Sequence, residues 1–196
     1  VGAFNEVLVL DWGLAVSTDN APATISGRIE SAAHANHPCG TPSYMPPEMA
    51  SGDAKKLGPA TDVYLLGGIL FAILYRRPPH PGSSVWDILV NAAKNVLYEA
   101  ERVDPDALPY IATLEDTLMT ALATEPEDRF DTAEEFGAAL REDMEHIQSI
   151  QISKDATELL NRLKTAIASG VESRQTSAKK AYPQFAEVIA LLDRAV

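Results

Sequence analysis

The sequence holds a single cysteine, Cys39, in 196 residues. One thiol rules out an internal disulfide and fits a reducing compartment. Cations are scarce: 16 Lys and Arg face 28 Asp and Glu, for a net charge of -12. With no basic stripe to offset that balance, nucleic acid and anionic membrane surfaces are excluded as partners. Long apolar runs are also missing. The longest, VYLLGGILFAILY from Val63 to Tyr75, falls short of the roughly 20 residues a membrane span needs. It reads as a buried core helix, so no membrane insertion is expected. No basic-then-apolar signal pattern opens the chain, and a cytoplasmic protein is expected. The first residue is Val1 rather than methionine, so the chain is expected to be a piece of something longer.

What is present is globular in composition and long enough for one hydrophobic core with a small appendage. Val7 to Leu10 is β-branched and leucine-rich and reads as a buried strand. Asn5 and Glu6 before it suit the turn of a short hairpin. Residues 16–43 are rich in Ser, Thr, Ala, Asn and Pro without a helical or strand period, which predicts a long surface loop. Helices are expected for most of the rest. One is short, from Pro47 to Gly52. Thr61 is placed to cap a second, 62–76, which must be surrounded on all sides because it is apolar nearly all round; Pro78, Pro79 and Pro81 stop it. Ser84 opens a helix to about Lys94. Thr113 with Asp116, and Thr132 with Glu135, resemble capping boxes for helices over 114–124 and 133–147. Helices over 155–168 and 178–196 follow a boundary at Gln148–Ser153, and Ser169-Gly170 ends the first of them. No internal repeat is visible.

The chemistry begins where the strand ends, at Asp11-Trp12-Gly13. A carboxylate there presents hard oxygens suited to Mg²⁺, which takes one or two carboxylates plus phosphate oxygens. Glycine next to it lets the backbone turn away. Alone, an aspartate at a strand end is more often a turn former. Three further motifs follow in order: GTPSYMPPE (Gly40–Glu48), DVYLLGGIL (Asp62–Leu70) and EPEDRF (Glu125–Phe130).

This ordered set resembles the C-terminal lobe of eukaryotic-type serine/threonine protein kinases, as found also in bacteria, across residues 1–147. The resemblance implies a mainly α fold: a helical kinase C-lobe with a residual short β-hairpin, plus a C-terminal helical hairpin at 148–196, the N-lobe being absent. It implies that Asp11 binds the Mg²⁺ bridging the phosphates of ATP, with Trp12 in the place usually held by Phe and Gly13 as hinge. Residues 11–48 become the activation segment. Thr41 takes the position that touches the catalytic aspartate and favours Ser and Thr hydroxyls over tyrosine. Glu48 forms a buried ion pair with Arg129, and Asp62 holds the backbone of the catalytic loop. Pro47 replaces the usual Ala before the Glu.

The Gly-rich phosphate loop, the Val-Ala-x-Lys-type lysine and the His-Arg-Asp catalytic loop, which precede the Asp11 position in the family, are not in this sequence. The chain itself is therefore expected to be inactive, as part of a parent that transfers the ATP γ-phosphate to Ser or Thr of protein substrates. The competing reading is a non-catalytic, pseudokinase-type interaction module. The partners implied are a protein substrate and the missing N-lobe of the same parent. Apolar surface left open by that lobe would allow the fragment to dimerise.

Other features receive plainer readings. Ser17, Thr18, Thr24, Ser26 and Ser31 are candidate phosphosites, where phosphorylation would add nearly two negative charges; a solvated polar loop is the plainer reading, and at least one phosphosite is expected in the parent, with no single residue singled out. His34, His37 and Cys39 lack the fourth ligand of a closed zinc site. Cys39 has no basic neighbours to lower its pKa. Trp12 and Trp86 are expected to be packing residues, and Gly67-Gly68 to permit close helix approach. Tyr182, Phe185 and Ala186 with VIALLDRA resemble one tetratricopeptide-type helix pair, but a single copy falls short of the about three such repeats need.

Overall fold

Prolines and glycines decide where the helices of this chain begin and end. A computed structural model describes residues 9–10, 12–17, 29, 31, 40–99, 111–169 (166–169 in backbone only) and 190. Helix α1, Pro47–Ser51, starts on a proline whose missing N–H costs nothing at that position. It closes on Gly52 in the left-handed region at φ 72°. Helix α2, Pro59–Tyr75, starts earlier than the sequence suggested. Thr61 is its third residue rather than its cap: the Gly58 N–H donates to Thr61 Oγ1 at 3.1 Å, and the Thr61 N–H donates to the Gly58 carbonyl at 2.9 Å. Arg76, left-handed at φ 57°, ends it just before the prolines.

Helix α3, Val85–Ala93, is capped as expected, with Ser84 Oγ accepting from the Asp87 N–H at 3.1 Å. Helix α4, Ile111–Ala121, begins before Thr113, so that threonine lies inside the helix and does not cap it. Helix α5, Ala133–Ser169, opens with Thr132 Oγ1 accepting from the Glu135 N–H at 3.2 Å, while the Glu135 carboxylate accepts from the Asp131 N–H at 3.1 Å. Short 3₁₀ turns lie at Pro42–Tyr44, Ala54–Lys56 and Pro126–Asp128.

Two compact units divide the chain, 1–137 and 138–196. In the first, α2 packs on α4. Tyr64, Phe71, Leu74 and Tyr75 of α2 form the core with Leu118 and Leu122, each worth about 1.5–3 kcal/mol of burial. In the second, α5 buries Ala156 and Leu163, two positions of the helical stripe read from the sequence. The interruption expected at Gln148–Ser153 is helical instead. That stretch holds neither Gly nor Pro, so nothing in it stops a helix already under way. Of the expected helix 178–196, only Ala190 is described, and it is helical.

Two further expectations need correcting. Val9 and Leu10, the described end of the predicted buried strand, are exposed and unpaired; Val7 and Leu8 lie outside the described residues. The one β contact among the described residues is an isolated parallel bridge between Ser17 and Ser31. A lone two-stranded hairpin is marginal in water, and the described residues offer it no sheet to join. The second correction concerns α2. Leu66, Ile69 and Ile73 form a stripe at helical spacing that is 39, 52 and 57 % exposed. The helix is covered on one side only.

The covered side depends on a missing side chain. A Cβ placed on Gly67 would lie 2.9 Å from the Ala121 Cβ and 3.2 Å from Leu122. Gly67→Ala is therefore expected to push α2 and α4 apart and destabilise the chain by about 1–3 kcal/mol in urea unfolding. Gly58→Ala, which meets nothing within 4 Å, should cost less than half as much.

Candidate functional site

Asp11, Thr18, Thr24, Ser26, His34, His37 and Cys39 lie outside the described residues. Trp12 and Gly13 sit in a turn closed by the Ala15 N–H donating to the Trp12 carbonyl at 3.1 Å. The Trp12 ring is exposed rather than packed, and so is that of Trp86, near the start of α3. Ser17 is buried and forms the backbone bridge to Ser31. Among the described residues no group of three His, Cys, Asp or Glu side chains could hold a metal ion.

From Gly40 onward the segment is well defined. Gly40 stands at φ 125°, a conformation open to glycine and few others. Thr41 is exposed and precedes the 3₁₀ turn without capping it by its side chain. Met45, Pro46, Pro47 and Glu48 then descend into the interior.

At the bottom of this descent Glu48 meets Arg129. The two side chains are 1 % and 0 % exposed. Nη1 donates to Glu48 Oε1 at 2.8 Å and Nη2 to Oε2 at 2.9 Å. The remaining donors find backbone carbonyls: Nε to Ala123 at 2.8 Å, Nη1 to Ala60 at 3.2 Å and Nη2 to Thr124 at 2.9 Å. All five N–H groups of the guanidinium are used. Its carbon also lies 4.8 Å from the centre of the Tyr64 ring, within cation–π range. The sequence predicted the pair; the three carbonyls and the ring it did not.

A second polar cluster beside it escaped the sequence reading altogether. Tyr64 donates its hydroxyl to Asn95 Oδ1 at 2.6 Å. Asn95 Nδ2 donates to the Leu122 carbonyl at 2.9 Å and to Thr124 Oγ1 at 3.0 Å. His80 stacks near Tyr64, with Nε2 3.0 Å from its hydroxyl. Burial pushes the Tyr64 phenol well above its ordinary value. The one available hint was a histidine set among Pro78, Pro79 and Pro81, where a polar ring has few ways out.

Asp62 lies in the first turn of α2, on the same side as the exposed stripe, and is itself exposed. It makes no hydrogen bond among the described residues. The helix atoms around it still remove enough water to raise its carboxyl above the usual range.

Removing one member of the Glu48–Arg129 pair leaves a buried charge without its partner. Arg129→Met or Glu48→Gln should cost about 3–5 kcal/mol in chemical denaturation. Replacing exposed Lys56, which pairs with Glu125 at the surface, should cost under about 1 kcal/mol.

Comparison with known proteins places this geometry. The chain matches the protein kinase domain family over residues 4–178. It is similar to the serine/threonine-protein kinase PknB of Mycobacterium tuberculosis, 32% identical over 147 residues, covering 71% of this chain and 20% of that protein. PknB of Mycobacterium leprae is 33% identical over 148 residues, with 71% and 20% covered. The serine/threonine-protein kinase PknD of Chlamydia abortus is 30% identical over 167 residues, with 76% and 16% covered. The chain thus spans about a fifth or less of the length of these relatives. With its motifs in order and Glu48 locked onto Arg129, the chain belongs to the protein kinase domain family.

Proposed function

We propose that this chain is the C-terminal lobe of a serine/threonine protein kinase that transfers the ATP γ-phosphate to Ser or Thr of protein substrates. The observation that carries the reading is the buried Glu48–Arg129 clamp, whose partners lie 81 residues apart. It anchors the end of the segment that starts at Asp11-Trp12-Gly13 and carries Thr41. A mobile segment cannot align a substrate hydroxyl; one end of it must be fixed, and positioning is most of what phosphoryl transfer asks of a protein.

The reading assigns Asp11 one carboxylate ligand to Mg²⁺, the metal that neutralises charge on the phosphates when ATP is bound. A single hard carboxylate beside a glycine suits that ion, which draws its other ligands from phosphate and water. Thr41, exposed at the head of the anchored stretch, selects the substrate hydroxyl. The phosphosites lie among Ser17, Thr18, Thr24, Ser26 and Ser31. The kinase lobe proper lies in residues 1–147, with 148–196 as a helical extension that α5 enters without a break. No helix among the described residues is long and apolar enough to cross a membrane, and a cytoplasmic setting is the one we assign.

The exposed stripe Leu66, Ile69 and Ile73, with Asp62 at its head, supports the further assignment that the rest of the catalytic domain packs on α2. An uncovered apolar stripe next to an unpartnered, desolvated carboxylate suits a segment bringing both apolar side chains and backbone N–H groups. Without that segment the same stripe can pair two copies of the chain.

The test is phosphate transfer by the full-length parent. Asp11→Asn should lower kcat by at least about 100-fold, since metal stabilisation of the transferring phosphoryl group is worth several kcal/mol. The isolated 196-residue chain should transfer none. A parent without transfer activity in the wild type would favour the pseudokinase-type module.

A further inference from the structure

His80 has no part in the assignments above, yet it is one of the most enclosed polar side chains in the chain, 1 % exposed. Both of its ring nitrogens face oxygen. Nδ1 lies 2.9 Å from the Val96 carbonyl. Nε2 lies 2.9 Å from the Met45 carbonyl and 3.0 Å from the Tyr64 hydroxyl. A carbonyl oxygen only accepts. Tyr64 has one proton to give, and Asn95 Oδ1 takes it at 2.6 Å. Asn95 cannot turn over to change this, because its Nδ2 is held by the Leu122 carbonyl and Thr124 Oγ1. The ring can satisfy Met45 and Val96 together only with a proton on each nitrogen. A neutral ring carries one proton, so one carbonyl must then face a lone pair.

Burial opposes the cation and pulls the His80 imidazole below its ordinary range, against the two carbonyls that favour it. Little else is present to decide the balance. On α2 the facing group is Tyr64. Arg129 lies behind the Tyr64 ring, and its charge is matched by Glu48 of α1. Among the described residues, the stretch after the Pro42–Tyr44 turn and the segment after α3 meet the ring through the Met45 and Val96 carbonyls, and the neutral Asn95 reaches it through Tyr64. The environment therefore leaves the proton count of one ring to set how many carbonyls are held.

Those carbonyls belong to two different stretches. Met45 ends the one that begins at Thr41, and Val96 follows α3. Backbone bonds run alongside: the His80 N–H donates to the Ser43 carbonyl at 3.1 Å, and the Tyr98 N–H to the Pro79 carbonyl at 2.7 Å. We propose that His80 is a positioning residue that acts as a proton-operated clamp on the Thr41–Met45 stretch: the doubly protonated ring ties Met45 to Val96, and the neutral ring releases one of them. That this stretch aligns a protein substrate rests on the proposed function; the clamp itself does not.

The direction follows from the chemistry. Above about pH 6.5, the ordinary histidine value, the ring is neutral and the stretch is held by the backbone bond to Ser43 and by one ring bond at most. As pH falls through the lowered value, the second ring bond forms and the stretch tightens. The unfolded chain takes up the same proton more readily, so global stability falls over this window while local order at 41–45 rises. A residue that merely fills space could lower global stability over this window but would not raise local order at 41–45.

The experiment is an NMR titration of the full chain from about pH 7.5 to about pH 5, beside the variant His80→Gln, whose amide does not titrate in this range. In the wild type, the His80 ring and the backbone amides of Tyr44, Met45 and Val96 should share one midpoint below about 6.5. Exchange of the Tyr44 and Met45 amides, corrected for its intrinsic pH dependence, should slow about tenfold on acidification. His80→Gln should lose these coupled shifts. A His80 ring that stays neutral throughout, amides that ignore its midpoint, or coupled shifts that survive in His80→Gln would each overturn the clamp. Should His80→Gln fail to fold, the wild-type midpoints decide alone. Because the readout needs no phosphate transfer, an inactive parent would remove the proposed function and leave the clamp measured.

Discussion

Everything in the first unit leans on one guanidinium. Arg129 reaches Glu48 at the start of α1, Ala60 in the first turn of α2, and the carbonyls of Ala123 and Thr124 after α4. Three chain segments far apart in sequence are thereby brought to one planar fork. Lysine could not replace it: three donors on a flexible stem cannot meet five acceptors arranged in a plane. A buried ion pair is often no more stabilising than apolar residues of the same size. What it supplies is geometry, because both carboxylate oxygens and all five N–H groups are satisfied in one arrangement. The end of the segment carrying Thr41 is fixed by that arrangement, and the proposed chemistry requires such a fixed end.

Helix α2 supplies the axis. On one side two glycines bring neighbours close: Gly67 meets Ala121 and Leu122, while Gly68 meets Tyr44 and Pro79. The same helix thus sets the distance to α4 and to the turn after Thr41. On the other side Leu66, Ile69 and Ile73 remain uncovered. The helix is apolar nearly all round, yet only one side is covered. The exposed stripe and the ion pair thus fit the proposed function together: a stretch held firmly at Glu48, and an apolar face left open on α2.

Much of this was legible before any coordinates. Capping at Ser84 and Thr132, the stop after Tyr75, the close approach at Gly67-Gly68 and the Glu48–Arg129 pair all follow from local chemistry or from motif order. The errors have physical causes. Thr61 looked like a cap because its hydroxyl does bond the helix start, but it does so from the third position. Gln148–Ser153, expected as a boundary, is helical because it meets neither Gly nor Pro. Trp12 and Trp86, expected to pack, are exposed; whether a ring finds a pocket depends on neighbours that periodicity does not report. His80 was passed over because a single histidine has no spacing to read.

The two polar clusters that flank Tyr64 differ in one respect that matters for how the platform behaves. Around Arg129 every donor has an acceptor, so the arrangement has no alternative of similar energy and acts as a fixed support. Around His80 the acceptors outnumber the protons: Met45, Val96 and Asn95 draw on one hydroxyl and one imidazole. A network one proton short has two arrangements that differ by a single bond, and buried polar networks respond strongly to such a deficit because no water makes it up. Both clusters touch the stretch from Thr41 to Glu48, one at its lower end and one at its middle. The stretch is therefore anchored at Glu48, and the proposed clamp would make it adjustable at Met45. A clamp placed at Glu48 instead would loosen the whole lobe each time it opened, whereas at Met45 it moves only the few residues above the anchor.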